Sequence, residues 1–156
     1  MAEITPPLST AQVLTSFYSE ARSLRHPTVR PRVATVREHL EVYLDTEAEQ
    51  WLLPDEQALV DAERQMDPAG AVARVTGPEA LVAVLPGFLD EAWLLPLPSD
   101  ARAQLRLVTE LVDWLLQTGT VDGGAMACSI LEIDTVVRRA RKRLAGRNDG
   151  GPLRTR

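Results

Sequence analysis

Apolar side chains recur three or four positions apart along most of this sequence, and that spacing restricts the fold more than any other feature. Residues at such intervals share one face of an α-helix, whereas a half-buried strand needs strict alternation of apolar and polar residues. The sequence has no sustained alternation and no Asn-Gly or Asp-Gly turn between β-branched runs. We therefore predict an all-α bundle of five to seven helices with no significant β-sheet.

Turn and capping residues divide this periodic pattern into separate helices. In a capping box, two side chains satisfy free N–H groups at the start of a helix. We predict such boxes at Ser9, Thr76 and Ser129, each with Gln or Glu three residues later. Proline or glycine is expected to interrupt or end helices at His26–Pro27, Asp67–Gly70, Pro86–Gly87, Gly119 and Gly146.

The length of 156 residues suits one domain, and 45% hydrophobic residues suffice for a core without disulfides or metal. We predict a single helical domain at 1–146 and a disordered basic tail at 147–156. Trp51, Trp93 and Trp114 are expected to lie in the core.

The net charge of −5 conceals a strong separation of charge along the chain. Residues 138–156 hold eight basic residues and one acid, whereas residues 1–137 hold nine basic residues and 21 acids. Ten of those acids lie between Glu38 and Asp67, against Arg64 alone. The preceding stretch contains no acid and five arginines: Arg22, Arg25, Arg30, Arg32 and Arg37.

The first basic cluster, Arg22–Arg37, allows two interpretations. Arginines near the start of a helix favour a phosphate or an acidic partner at the helix N-terminus. Alternatively, this is a solvated loop whose arginines pair with neighbouring acids.

The second basic cluster is predicted to lie in one band on the last helix, facing away from its apolar stripe. Such a band can neutralise nucleic-acid phosphates, bind an acidic protein surface or simply solvate the helix end. Its members are Arg138, Arg139, Arg141, Lys142 and Arg143.

The same helix carries an apolar stripe spaced like the seam of a short coiled coil. Barely two heptads cannot hold a dimer alone, so the stripe must lie on the bundle, on a second copy, or on both. We favour self-association, in which the acidic stretch of a second copy provides the countercharge. The stripe consists of Ile130, Ile133, Val137, Ala140 and Leu144.

No motif for catalysis, metal or cofactor binding is found. His26 and His39 stand apart from other metal ligands, and Cys128 is expected to be a packed, inert thiol. There is no glycine-rich phosphate loop and no Gly-x-Ser-x-Gly elbow. We therefore expect a non-enzymatic interaction protein without metal or cofactor. A nucleic-acid-binding accessory protein is the alternative, and a small-molecule enzyme is the third interpretation.

The first residues of the sequence bear on the cellular location, and the ratio of arginine to lysine bears on the source genome. The first residues lack a basic, apolar signal segment, and no apolar run is long enough to cross a bilayer, so we expect a cytoplasmic protein. Lys142 is the only lysine among 17 basic residues, which indicates a GC-rich bacterial genome.

Part of the chain resembles a known family. Ser16–Tyr18 and Thr35–Leu44 look like the first two helices of the core-binding domain of tyrosine recombinases, and Thr76–Leu81 and Arg102–Gly119 are similar to its third and fourth. The resemblance covers Ser9–Val121 and implies a helical domain that clamps DNA. In that family the active site lies in a separate catalytic domain, which we do not expect here, so the resemblance implies no catalytic residue. The acidic run is also a departure from a DNA-binding surface.

Overall fold

The structure, a computed structural model, describes residues 7–149, which form seven α-helices and contain no β-strand. This confirms the prediction of an all-α bundle. None of these helices is both long and apolar enough to span a bilayer. The helices are α1 (Thr10–Glu20), α2 (Val33–Thr46), α3 (Pro54–Met66), α4 (Ala71–Val75), α5 (Pro78–Phe88), α6 (Pro98–Gln117) and α7 (Ala127–Asp149).

Helix α6 provides much of the main core and packs against both α2 and α7. Its leucines recur on more than one face, and Leu105, Leu107, Leu111 and Leu115 are all completely buried. A helix buried on several sides needs this wide apolar surface. The helix ends as predicted at Gly119, whose φ of 69° is a left-handed conformation that glycine adopts without strain.

A smaller apolar cluster lies under α3 and α4, apart from the main core. It contains Val60, Ala71 and Val72. Polar contacts join this corner to the rest of the bundle: Arg64 bonds the Glu49 carboxylate at 2.6 Å and also the backbone carbonyl of Asp45. Residues 7–149 therefore form one large apolar core and one small one.

The turn between α5 and α6 is held by a completely buried glutamine. The Gln104 side chain donates to the carbonyls of Phe88 and Trp93, and its oxygen accepts from the Leu95 N–H at 2.9 Å. His39 also donates to the Trp93 carbonyl, at 2.6 Å. These bonds satisfy backbone groups that the turn leaves free.

Only one of the three predicted capping boxes is present. Ser9 accepts from the Gln12 N–H and Gln12 bonds the Ser9 N–H, as expected. Thr76 is instead buried, and its hydroxyl bonds the Val72 carbonyl, so α5 begins after Gly77 without a side-chain cap. Helix α7 begins two residues before Ser129, which places that serine inside the first turn.

Two expected breaks do not occur. Pro86 lies inside α5, which continues to Phe88. Proline has no backbone N–H, but at this position the helix loses only one hydrogen bond, in its last turn. Helix α7 passes through Gly146 to Asp149, so residues 147–149 of the predicted tail are helical, and residues 150–156 lie outside the described residues. Gly146 does not adopt the left-handed conformation that ends a helix.

The expected burial of two side chains is also wrong. Trp51 is 66% exposed because α2 ends at Thr46 and a tighter 3-10 turn follows, which changes the direction of the side chain. Cys128 is exposed because it lies on the side of α7 opposite the buried stripe. Trp93 and Trp114 are half-buried against the main core, close to the prediction.

Candidate interaction surfaces

The apolar stripe of α7 is docked on the chain's own bundle. Ile133, Val137, Ala140 and Leu144 are at most 4% exposed, and α7 packs against α5 and α6. This corrects the expectation that the stripe itself is the contact surface for a second copy. Burial within the bundle removes these side chains from any further partner, and only Ile130 remains half-buried.

One flank of the stripe remains open as a groove between α6 and α7, with a volume of about 560 Å³. Its apolar lining includes Val112 and Leu116 from α6 and Ile130 and Leu131 from α7. Leu131 is 66% exposed at the edge of this groove. We call this feature the α6–α7 groove.

The rim of the α6–α7 groove carries charges of both signs. Asp113 and Asp134 provide the negative charges, and Arg138 and Arg141 provide the positive ones. Arg138 forms an ion pair with Asp134 one turn earlier, at 2.7 Å. Both side chains are largely exposed, so this pair contributes little stability and is available to exchange partners.

The basic residues of α7 cover the part of the helix that faces away from its apolar stripe, and Arg139, Lys142 and Arg143 line one shallow depression there. Arg138 and Arg141 border the α6–α7 groove, whereas Arg143 reaches Glu91 on the opposite flank, at 3.4 Å. Arg139 and Lys142 are exposed and make no ion pair within residues 7–149. The helix rotates by about 100° per residue, so consecutive cations point in different directions.

The first basic cluster is also divided by the fold. Arg32 pairs with Asp100 at the start of α6, at 3.4 Å. Arg37 pairs with Glu41 at 3.5 Å and lies over the ring of Tyr18 at 4.7 Å. These two arginines are thus engaged within the chain, which supports the interpretation that the cluster pairs with neighbouring acids.

The other members of the first cluster lie before α2. Arg22 begins the 3-10 turn Arg22–Arg25, and the side chains of Arg25 and Arg30 are exposed. One arginine of each basic cluster pairs with an acid at or before the start of α6. Each reaches a different acid of the segment between Glu91 and Asp100.

A second cavity, which the sequence analysis missed, lies between α1, α2 and α4. Its volume is about 690 Å³, and both Tyr18 and Asp45 contribute to its lining. Burial raises the pKa of Tyr18 because desolvation disfavours the phenolate, although the Arg37 guanidinium acts in the opposite direction. Sequence gives no signal for this cavity, because its walls come from helices far apart in the chain. We call it the α1–α2–α4 groove.

Metal ligation has no geometric support within residues 7–149, where no three His, Cys, Asp or Glu side chains converge. His39 is engaged with the Trp93 carbonyl, and His26 bonds the neighbouring Thr28 hydroxyl at 2.8 Å. Both histidines thus have local structural contacts.

Comparison with known proteins adds no relative. No family model, no curated protein and no solved structure matches the chain. The resemblance of Ser9–Val121 to the recombinase core-binding domain stays a prediction.

Proposed function

We propose that this chain is a non-enzymatic interaction module that self-associates through the α6–α7 groove. The observation that supports this most strongly is the exposed Leu131 beside an apolar groove with charges of both signs on its rim. An exposed apolar surface with a polar rim is typical of a protein-binding site.

A second copy of the chain is the partner that best fits this surface. In a two-fold dimer the same patch faces itself, so it must be complementary to its own rotated image. In the proposed dimer, Leu131 of one copy enters the apolar groove of the other. Arg141 of one copy then faces Asp113 and Asp134 on the groove rim of the second copy, and the two-fold symmetry repeats this contact in reverse.

The size of the groove predicts a weak, reversible dimer. Thirteen residues line it, fewer than the roughly 20–30 residues per partner of a standard stable interface. Small interfaces belong to transient complexes, so we expect a dissociation constant on the order of micromolar or weaker. The rim charges make the association sensitive to salt.

Replacing Leu131 by glutamine is expected to weaken the dimer at least about tenfold. A buried leucine contributes about 1.5–3 kcal/mol, and 1.4 kcal/mol is a factor of ten in affinity. Analytical ultracentrifugation over a wide range of concentrations measures this constant. Because Leu131 is 66% exposed, the variant is expected to keep the fold of the wild type.

Leu59→Gln is the matched control for this experiment. Leu59 is 60% exposed on α3, away from the groove, so its replacement should leave the association unchanged. A wild-type protein that stays monomeric at every concentration and salt would contradict the proposal. Equal weakening by both variants would also contradict it.

Nucleic-acid binding through α7 is the second candidate function. It is supported by six cations between Arg138 and Arg147, with no acid from 135 to 147. Retention of duplex DNA should then fall steeply with salt. The double variant Arg139→Gln/Lys142→Gln should reduce the logarithmic slope by about 2, one for each phosphate contact. Arg102→Gln on α6 is the control, and DNA that is not retained at low salt would exclude this function.

A further inference from the structure

The α1–α2–α4 groove combines an apolar wall with polar groups at its base. The apolar wall comes from Ala11 and Leu14 of α1 and from Ala73 of α4. The volume of about 690 Å³ lies within the roughly 300–1,000 Å³ of small-molecule sites. The groove lies on different helices from the α6–α7 groove, so its role is independent of the proposed self-association.

Two buried polar atoms in this groove have no hydrogen-bond partner among the described residues: the Tyr18 hydroxyl and Asp45 Oδ1. Leaving a buried polar group unpaired costs about 1–3 kcal/mol, so such groups are few in native proteins. Phenylalanine at position 18 would fill the same space without this cost. The two atoms therefore indicate a partner that the chain itself does not supply.

The charges around the groove favour a cation as that partner. Among the described residues, the other Asp45 oxygen accepts one hydrogen bond, from the Gly70 N–H at 3.0 Å. Arg74 lies nearby, but it is directed to Glu63, at 2.8 Å. Glu38 adds a further exposed carboxylate to the rim.

Arg37 is the other cation of the rim. It is paired with Glu41 and lies over the Tyr18 ring, so it does not reach Asp45. Its side chain is 48% exposed and can rotate outward, which would uncover the face of the Tyr18 ring for a ligand. The same stacking shows that the Tyr18 ring already accommodates a cation.

We infer that the α1–α2–α4 groove binds a small organic cation, an ammonium group carried on a short apolar body. Asp45 Oδ1 accepts a hydrogen bond from the ammonium group, and the carboxylate balances its charge. The apolar body lies against Leu14 and Ala73. Tyr18, which lines the same groove and whose hydroxyl has no hydrogen-bond partner among the described residues, supplies a second contact.

Titration of the full chain with hexylammonium chloride, followed by ¹H–¹⁵N NMR spectra, tests this inference. The Gly70 amide is the reporter because its N–H bonds the Asp45 carboxylate directly. We expect its resonance to shift to saturation with hexylammonium. Hexanol and hexanoate, which have the same apolar body without the positive charge, should leave it unchanged. No saturable shift, or equal shifts with the three probes, would overturn the inference.

Substitutions separate binding at Asp45 from general attraction to an acidic protein. Asp45→Asn keeps an acceptor for Gly70 but removes the charge, and binding should weaken about tenfold. Glu132→Gln on α7 removes the same charge outside the groove and should leave binding unchanged. Tyr18→Phe should weaken binding and raise the melting temperature of the free protein. If neither Asp45→Asn nor Tyr18→Phe changes the binding, the inference is overturned. If a variant does not fold, the comparison of the three probes on the wild-type protein is the deciding measurement.

Discussion

Replacing Val137 by aspartate is expected to lower the free energy of unfolding by about 3–5 kcal/mol. Val137 is 4% exposed on the face of α7 that packs on the bundle, among apolar side chains. A carboxylate there loses its hydration without gaining a partner. Since small domains are stable by about 5–15 kcal/mol, this change removes a large part of the total. Urea denaturation followed by circular dichroism measures it.

Leu131→Asp is the control for that prediction, because it places the same charge on the exposed flank of the same helix. Surface substitutions usually change stability by no more than about 0.5 kcal/mol. If Val137→Asp were as mild as Leu131→Asp, α7 would not be docked through its stripe. The contrast also identifies Leu131, rather than Val137, as the position at which to test self-association without loss of the fold.

Gln104→Leu is expected to cost about 2–4 kcal/mol, although it places an apolar side chain in the core. The substitution leaves the carbonyls of Phe88 and Trp93 and the N–H of Leu95 without their side-chain partner. Each buried group left unpaired costs about 1–3 kcal/mol, and only the Trp93 carbonyl keeps a further bond, from His39. Chemical denaturation followed by circular dichroism measures the loss.

Gln117→Leu at the exposed end of α6 is the matched control and should be nearly neutral. A Gln104→Leu variant as stable as the wild type would show that apolar burial compensates for the lost bonds. In that case the turn between α5 and α6 would be held by packing and not by Gln104.

The sequence predicts the helices well because their apolar spacing is a local property. The Ser9 capping box and the buried face of α7 follow from residues within a few positions of each other. Thr76 shows where local reasoning fails, since its hydroxyl is used by contacts with Thr10 and Val72. The capping pattern is present in the sequence, but tertiary contacts compete for the same oxygen.

The candidate sites are less predictable because each depends on residues distant in sequence. The stripe of α7 is evident, but whether it covers its own bundle or a second copy is decided by α5 and α6. Ion pairs such as Arg32 with Asp100 join segments 68 positions apart, a pairing that composition does not specify. The unpaired atoms of Tyr18 and Asp45 are visible only once α1, α2 and α4 are in place.

Because the apolar interior is divided into two clusters, the free energy of local unfolding differs between parts of the chain. Val60, Ala71 and Val72 form too small a cluster to hold α3 as firmly as the main core holds α6, whereas α4 also packs against α1 and α2. Such regions detach in cooperative units at a fraction of the global free energy. We therefore expect amide protons of α3 to exchange with solvent through a partial opening that leaves α5, α6 and α7 assembled. Ala69 and Gly70, which follow α3, line the α1–α2–α4 groove, so we expect occupation of that groove to slow this exchange.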